Sequence, residues 1–481
     1  VEINIKNSYV KGYSSGQAAS IGCTEQMTAS IIIFNSTVSA TNSNANGRSG
    51  SGIGGSNMSC VRLIEINHSN VTGLSNSDGA PIGSGGNKGR FILIRVSNNS
   101  NVTCENRGHT QCSAAGIGGY CGGSIEIYDS RIEAISGDQG AGIGGSHLSN
   151  VDNIIIERSV INSSSKSTGA AIGAAGGGYV LQGIFICDST VFAFSGIHNG
   201  CANGAAIGGG WYTGGGLIDI RRSNITAIAG VFGSAAAIGG GLMGDPGDIF
   251  ITDSYVYAQS ALNGTSKEWS TMAGAGIGSG GTVKEAPGTF PSKGTIHINH
   301  SIVIAKGGSV IDSTLKKFPL EAGSAIGYGG TTVYPRNRFY PLNITITNDS
   351  IVYAYGGNAT GPSMAAAPAI SGSGHFKYMQ QGTVLIEDSF VHAVSGYNKD
   401  NLNRGHSNFG YSWNPLSEPE GTQANDDNMT GEFIVRGNST VIASHSPDDN
   451  ITIPVIIESF QVEGKEANIE FHSTNVSSFS V

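Results

Sequence analysis

Residues 125–134 read Ile125-Glu126-Ile127-Tyr128-Asp129-Ser130-Arg131-Ile132-Glu133-Ala134, with apolar side chains at every second position on either side of a polar break. The same order returns at Ile184-Phe185-Ile186-Cys187-Asp188-Ser189-Thr190-Val191-Phe192-Ala193 and at Ile249-Phe250-Ile251-Thr252-Asp253-Ser254-Tyr255-Val256-Tyr257-Ala258. The shared pattern is I-x-I-x-x-S-x-V-x-A. Variants start near residues 3, 31, 64, 92, 154, 218, 296, 344, 384, 433 and 469, a period of about 29 to 33 residues that lengthens after residue 250. Between copies lies a second element, A-x-I-G-G, whose Ile recurs at Ile21, Ile53, Ile82, Ile117, Ile143, Ile172, Ile207, Ile238, Ile277, Ile326 and Ile370.

Alternation of period two, with no segment of helical period, makes each unit two or three short strands. One such unit cannot close a core. Stacked in parallel register at about 4.8 Å per strand, successive units bury the repeated Ile, Val and Ile as three internal ladders. The expected architecture is all-β: a parallel β-helix of about fourteen coils with a roughly triangular section, and a rod about 65 Å long by that spacing. Residues 1–481 read as one β-helix, with long loop insertions between coils over 250–343, an irregular loop over 396–431 and terminal coils over 432–481. Glycines beside the buried Ile have two readings. They supply positive φ at tight corners, or a bare outer face on which another molecule packs.

Glycine accounts for 74 of 481 residues without a period of three, which excludes collagen, and the 38% hydrophobic content is enough for a core. A formal charge of −9 with no Lys/Arg-rich run argues against nucleic acid as a partner. No stretch approaches the roughly 18 apolar residues of a membrane span. Neither an initiator Met nor a signal peptide is present, so the chain reads as a processed product or a piece of something longer.

Seventeen Asn-x-Ser/Thr sequons point to a glycosylating eukaryotic secretory pathway and to covalent N-glycans: Asn35, Asn57, Asn67, Asn70, Asn98, Asn101, Asn162, Asn224, Asn263, Asn299, Asn343, Asn348, Asn358, Asn428, Asn438, Asn450 and Asn475. The competing reading is that an Asn- and Ser-rich sequence makes sequons by chance. Many fall at the break before the repeat's Ser, so glycans are expected as a stripe along one edge, with crowding that leaves Asn67 or Asn70, and Asn98 or Asn101, unmodified. The seven cysteines lack zinc spacing. Cys104 with Cys112 and Cys187 with Cys201 read as loop staples, Cys23 with Cys60 as a bridge between coils, and Cys121 as the thiol left over.

The residue before the repeated Ser is Asp129, Arg158, Asp188, Arg222, Asp253, His300, Asp349 and Asp388 in turn. An Arg in a neighbouring coil lowers a carboxylate's pKa and removes it as a general acid, so the row reads as a salt-bridge ladder that fixes coil register. Asp349 and Asp388, with no base between them, stay candidates for an acid pair or cation site. The repeated Ser, from Ser8 to Ser439, reads as a corner ladder whose hydroxyls bond one another and free backbone groups; no base lies at a fixed offset, so nucleophilic catalysis is not expected. The histidines are scattered and read as solvated. No catalytic residue, cofactor or metal site is assigned.

The coil motif and the A-x-I-G-G segment resemble the right-handed parallel β-helix class, in particular repetitive surface proteins and adhesins with GAGIGGG-type repeats. The resemblance spans nearly the whole chain and supplies the handedness; its motif carries no chemistry. It implies a structural or adhesive surface protein. Two other functions remain open: a pectin-lyase-like carbohydrate-active enzyme, whose sites use stacked acids, and a binder of surface glycans. The binder would use Trp211, Tyr212, Trp269, Tyr328, Tyr334, Phe339, Tyr340, Phe409, Tyr411 and Trp413. The first residues already form a strand pair, and Asn468 to Val476 reads as one more copy with an unfinished coil. End-to-end association of copies into a fibre is therefore expected, against the alternative of a fragment that has lost its caps.

Overall fold

The structure, a computed structural model, describes residues 1–44, 50–76, 78–86, 88–108, 114–196, 204–230, 233–261, 273–281, 294–311, 322–330, 342–360, 366–370, 382–398, 409, 433–445, 461–463 and 468–472. The chain divides into two compact units, Val1–Ala227 and Ile228–Val481. Among the described residues there is no helix, and each unit is a parallel β-helix.

Among the described residues each coil contributes one strand to the first and second of three parallel sheets, and ten coils contribute one to the third. In the first unit the coil around residue 130 is made of Ser124–Tyr128, Arg131–Ile135 and Ile143–Gly145. The next coil supplies Val151–Glu157, Val160–Ser164 and Ile172–Gly173, in register as Ile125↔Ile154, Ile132↔Ile161 and Ile143↔Ile172. The second unit repeats the arrangement, for example Ile249↔Ile296↔Ile344 and Val256↔Val303↔Val352. Eight first-sheet strands lie in the first unit and six in the second, the fourteen coils expected from the repeat.

The strands form because β-branched side chains suit the pleat and every second one is removed from water. Ile125, Ile127, Ile154 and Ile156 are fully buried, and so is the second-sheet column from Val102 through Ile132 and Ile161 to Val191. Each buried Ile or Val contributes about 1.5–3 kcal/mol, so the ladders dominate the stability of each unit. All eleven Gly-flanked Ile are buried. Ten lie in the third sheet, and Ile370 continues it by a bridge to Ile326.

The glycines take the corner reading. Gly144 has φ +146°, and a Cβ there would lie 1.9 Å from the carbonyl oxygen of Gly173 in the next coil. Gly173 repeats this against Gly208, and Gly239 against Gly278. These glycines are buried by neighbouring backbone, so they offer no bare outer face for another molecule.

Two register expectations are corrected. The copy near residue 92 aligns on Ile94 and Val96, and Ile92 is 56% exposed. The expected copy at 469 is not a first-sheet strand: Asn468–His472 pairs with Thr440–Ser444 in the second sheet, and the first-sheet strand of that coil is Gln461–Glu463. Repeat alternation alone does not separate the two sheets, because both bury every second residue.

Candidate functional site along the first corner

The first and second sheets meet at a corner of one or two residues, followed by the repeated Ser. Asn7, Asn35, His68, Asp129, Arg158, Asp188, Arg222, Asp253, His300 and Asp388 all sit there with φ between 45° and 51°. Left-handed backbone is costly for most side chains and best tolerated by Asn, Asp and Gly, which explains the run of Asn and Asp and the Gly437 (φ 66°) of a later coil. Sequence reading sorted this row by charge and missed the backbone demand, although the recurrence of Asn, Asp and Gly at one position is its signal.

Charge acts second. Arg158 closes on Asp129 with two bonds of 2.7 and 3.1 Å, and Arg222 on Asp188 with two of 2.8 Å. His300 Nδ1 lies 2.6 Å from Asp253. The Arg158 guanidinium holds the Asp129 carboxyl below its ordinary value, and Arg222, helped by the Cys187 thiol, brings Asp188 down to about 2. Neither is a proton donor near neutral pH. The Asp349 amide donates to the Asp388 carbonyl, and the Asp388 carboxylate accepts the Asn438 N–H at 2.8 Å. Asp388 thus serves the next coil's backbone. Among the described residues no group of three or more His, Cys, Asp or Glu is placed to hold a metal ion.

The serine ladder lies just inside the corner. Ser130, Ser159 and Ser189 are buried; each hydroxyl donates to the carbonyl two residues back, and those of Ser159 and Ser189 accept the N–H of Ser130 and Ser159 one coil earlier. The pattern recurs from Ser8 to Ser36 to Ser69 and, in the second unit, from Ser254 to Ser301 to Ser350. Backbone groups are the partners throughout. The hydroxyls of Ser36, Ser159 and Ser189 bond backbone groups in both directions and so do not form the hydroxyl-to-hydroxyl bonds expected from sequence.

Nine sequon asparagines gather at this corner: Asn35, Asn67, Asn70, Asn98, Asn101, Asn224, Asn299, Asn348 and Asn438. Elsewhere Asn162 and Asn343 are exposed on outer sheet faces, Asn358 is half-buried, and Asn57 is only 6% exposed with its amide turned to Glu25. Asn263, Asn428, Asn450 and Asn475 lie outside the described residues.

Of the expected disulfide partners, Cys112 and Cys201 also lie outside them. Cys23 and Cys60 are free thiols, as are Cys104, Cys121 and Cys187. Cys104 fills the Ala position of the repeat, in register with Gly73 and Ala134, and burial pushes its thiol pKa up. Its place in V-x-A was legible as Val102-Thr103-Cys104.

The loop aromatics do not make one platform. Trp211 stacks on Tyr212 at 4.4 Å, whereas Tyr328 is 2% exposed and Phe409 is buried against Phe433 at 4.3 Å. Trp269, Tyr334, Phe339, Tyr340, Tyr411 and Trp413 lie outside the described residues. Instead, Tyr255, Tyr257, Tyr353 and Phe390 share the outer second-sheet face of the second unit, where Tyr353 and Phe390 are in contact at 5.9 Å and Ile302 and Ile304 lie in register between them and the two earlier tyrosines. No helix of the described residues is long and apolar enough to cross a membrane.

Comparison with protein-family models, with curated proteins and with solved structures gives no match.

Proposed function

We propose that this chain is an extracellular, N-glycosylated structural surface protein, a fibre-forming or adhesive subunit whose copies stack head to tail. The observation that carries the reading is the serine ladder: the polar groups most regularly repeated in the chain are buried and bonded to the backbone of adjacent coils. Three acids of the same row, Asp129, Asp188 and Asp253, are paired with Arg158, Arg222 and His300. Coil docks on coil through one repeated set of donors and acceptors, a geometry that serves equally for a coil of a second copy by strand addition. Such a contact is heterologous and does not close on itself, which yields a filament. The exposed sequons at the starts of second-sheet strands, Asn70, Asn101 and Asn224, support passage through a glycosylating pathway.

A second reading, a carbohydrate-binding β-helix, draws on the outer-face aromatics Tyr255, Tyr257, Tyr353 and Phe390, since flat rings with polar tips suit sugar faces. Light scattering of the chain at micromolar concentration tests the first reading. Growth of large species with concentration supports it. A monodisperse monomer at all concentrations removes the head-to-tail subunit.

A further inference from the structure

We infer that seven of the nine corner sequons fall into two kinds, with N-glycans on Asn70, Asn101 and Asn224 and none on Asn67, Asn98, Asn299 or Asn348 in the folded chain. The inference rests on the glycoprotein reading above and adds which sites carry sugar.

In Asn70-Val71-Thr72, Asn101-Val102-Thr103 and Asn224-Ile225-Thr226 the Asn is the first residue of a second-sheet strand. Period-two alternation buries the middle residue and turns Asn and Thr outward together. All three asparagines are exposed, and no described residue hydrogen-bonds their carboxamides. Sugar on Nδ2 there breaks no side-chain hydrogen bond, although Asn70 and Asn101 stand side by side in register in adjacent coils.

The other kind is built differently. In Asn67-His68-Ser69, Asn98-Asn99-Ser100, Asn299-His300-Ser301 and Asn348-Asp349-Ser350 the third residue is the ladder serine. Its hydroxyl is buried and closed on a corner carbonyl at 2.6–2.7 Å. The carboxamides form cross-coil pairs: Asn98 Nδ2 donates to Asn67 Oδ1 at 3.1 Å, and Asn348 Nδ2 to Asn299 Oδ1 at 2.6 Å, where Thr347 also donates at 3.3 Å. A glycan on either member of a pair is rooted on a carboxamide that already hydrogen-bonds the adjacent coil. These four sequons arise because the corner demands a left-handed or amide-pairing Asn and the ladder demands a Ser.

The modification itself needs a sugar carried on a lipid-linked diphosphate and the transferase of the secretory pathway. The C1–O bond breaks with its electron pair on the departing diphosphate, C1–Nδ2 forms, and one amide proton passes to a base.

The test is site-resolved glycopeptide mass spectrometry of the full chain secreted from eukaryotic cells, with thermal melts of Asn98→Gln, Asn348→Gln and Asn101→Gln. Expected are majority occupancy at Asn70, Asn101 and Asn224, little or none at the other four, lowered Tm for the first two variants and unchanged Tm for the third. Majority occupancy at Asn98 or Asn348, or unchanged Tm in both of their variants, overturns the two-class assignment while leaving the glycoprotein reading in place. An absence of sugar at every sequon overturns the glycoprotein reading itself.

Discussion

Replacing Ser159 by Ala isolates the serine ladder. Ser159 is 3% exposed; its hydroxyl donates to the Glu157 carbonyl at 2.8 Å and accepts the Ser130 N–H at 3.1 Å. Alanine removes one oxygen without adding bulk, so the main losses are a hydrogen bond worth about 1 kcal/mol net and the stranding of a buried N–H, about 1–3 kcal/mol. The expected cost is about 2–4 kcal/mol, seen as a lower denaturant midpoint at unchanged slope. Asp188→Asn, one coil away on the exposed side of the same corner, is the control and shifts the midpoint only slightly, because exposed ion pairs are screened. A Ser159→Ala variant as stable as the parent refutes the reasoning, since the hydroxyl would then hold nothing the backbone needs.

Gly144→Ala places a Cβ 1.9 Å from the Gly173 oxygen and is expected to abolish accumulation of folded protein, whereas Gly16→Ala, with nothing within 4 Å, is neutral by the same expression and melting assay. Ile143→Ala empties a fully buried ladder position and should cost about 2–5 kcal/mol in chemical denaturation. The Asp188 carboxyl titrates at about 2 in the folded chain, below its ordinary value, so its pairing stabilises above the unfolded pKa and is lost as pH falls through the folded one. Parent and Asp188→Asn midpoints should differ by a constant small amount near neutral pH and converge as pH approaches 2; a difference that grows in acid contradicts the pairing.

The fold was legible because its signal is repeated. Eleven Gly-flanked Ile and the I-x-I-x-x-S-x-V-x-A copies fix which side chains face inward, and burial follows them. What alternation cannot encode is the sheet to which a strand belongs, hence the misplacement of Asn468–His472. The corner was legible in part: the Asp–Arg pairs follow from charge and spacing, but the left-handed backbone at Asn7, Asn35 and Asp129 is a conformational demand visible only as a preference for Asn, Asp and Gly. The distinction between Asn67 and Asn70 was legible only in part: the repeat marks Ser69 as a ladder serine, but not that its hydroxyl closes on the Asn67 carbonyl or that the Asn67 carboxamide pairs with Asn98.

Fibre diffraction from aligned native material bears most directly on the central claim, a structural solenoid that stacks head to tail. A meridional reflection near 4.8 Å from filaments longer than a single chain is the predicted result, because coils of successive copies would then continue one axial repeat. Material that yields only discrete single-chain particles, with no such filament under native conditions, would contradict it.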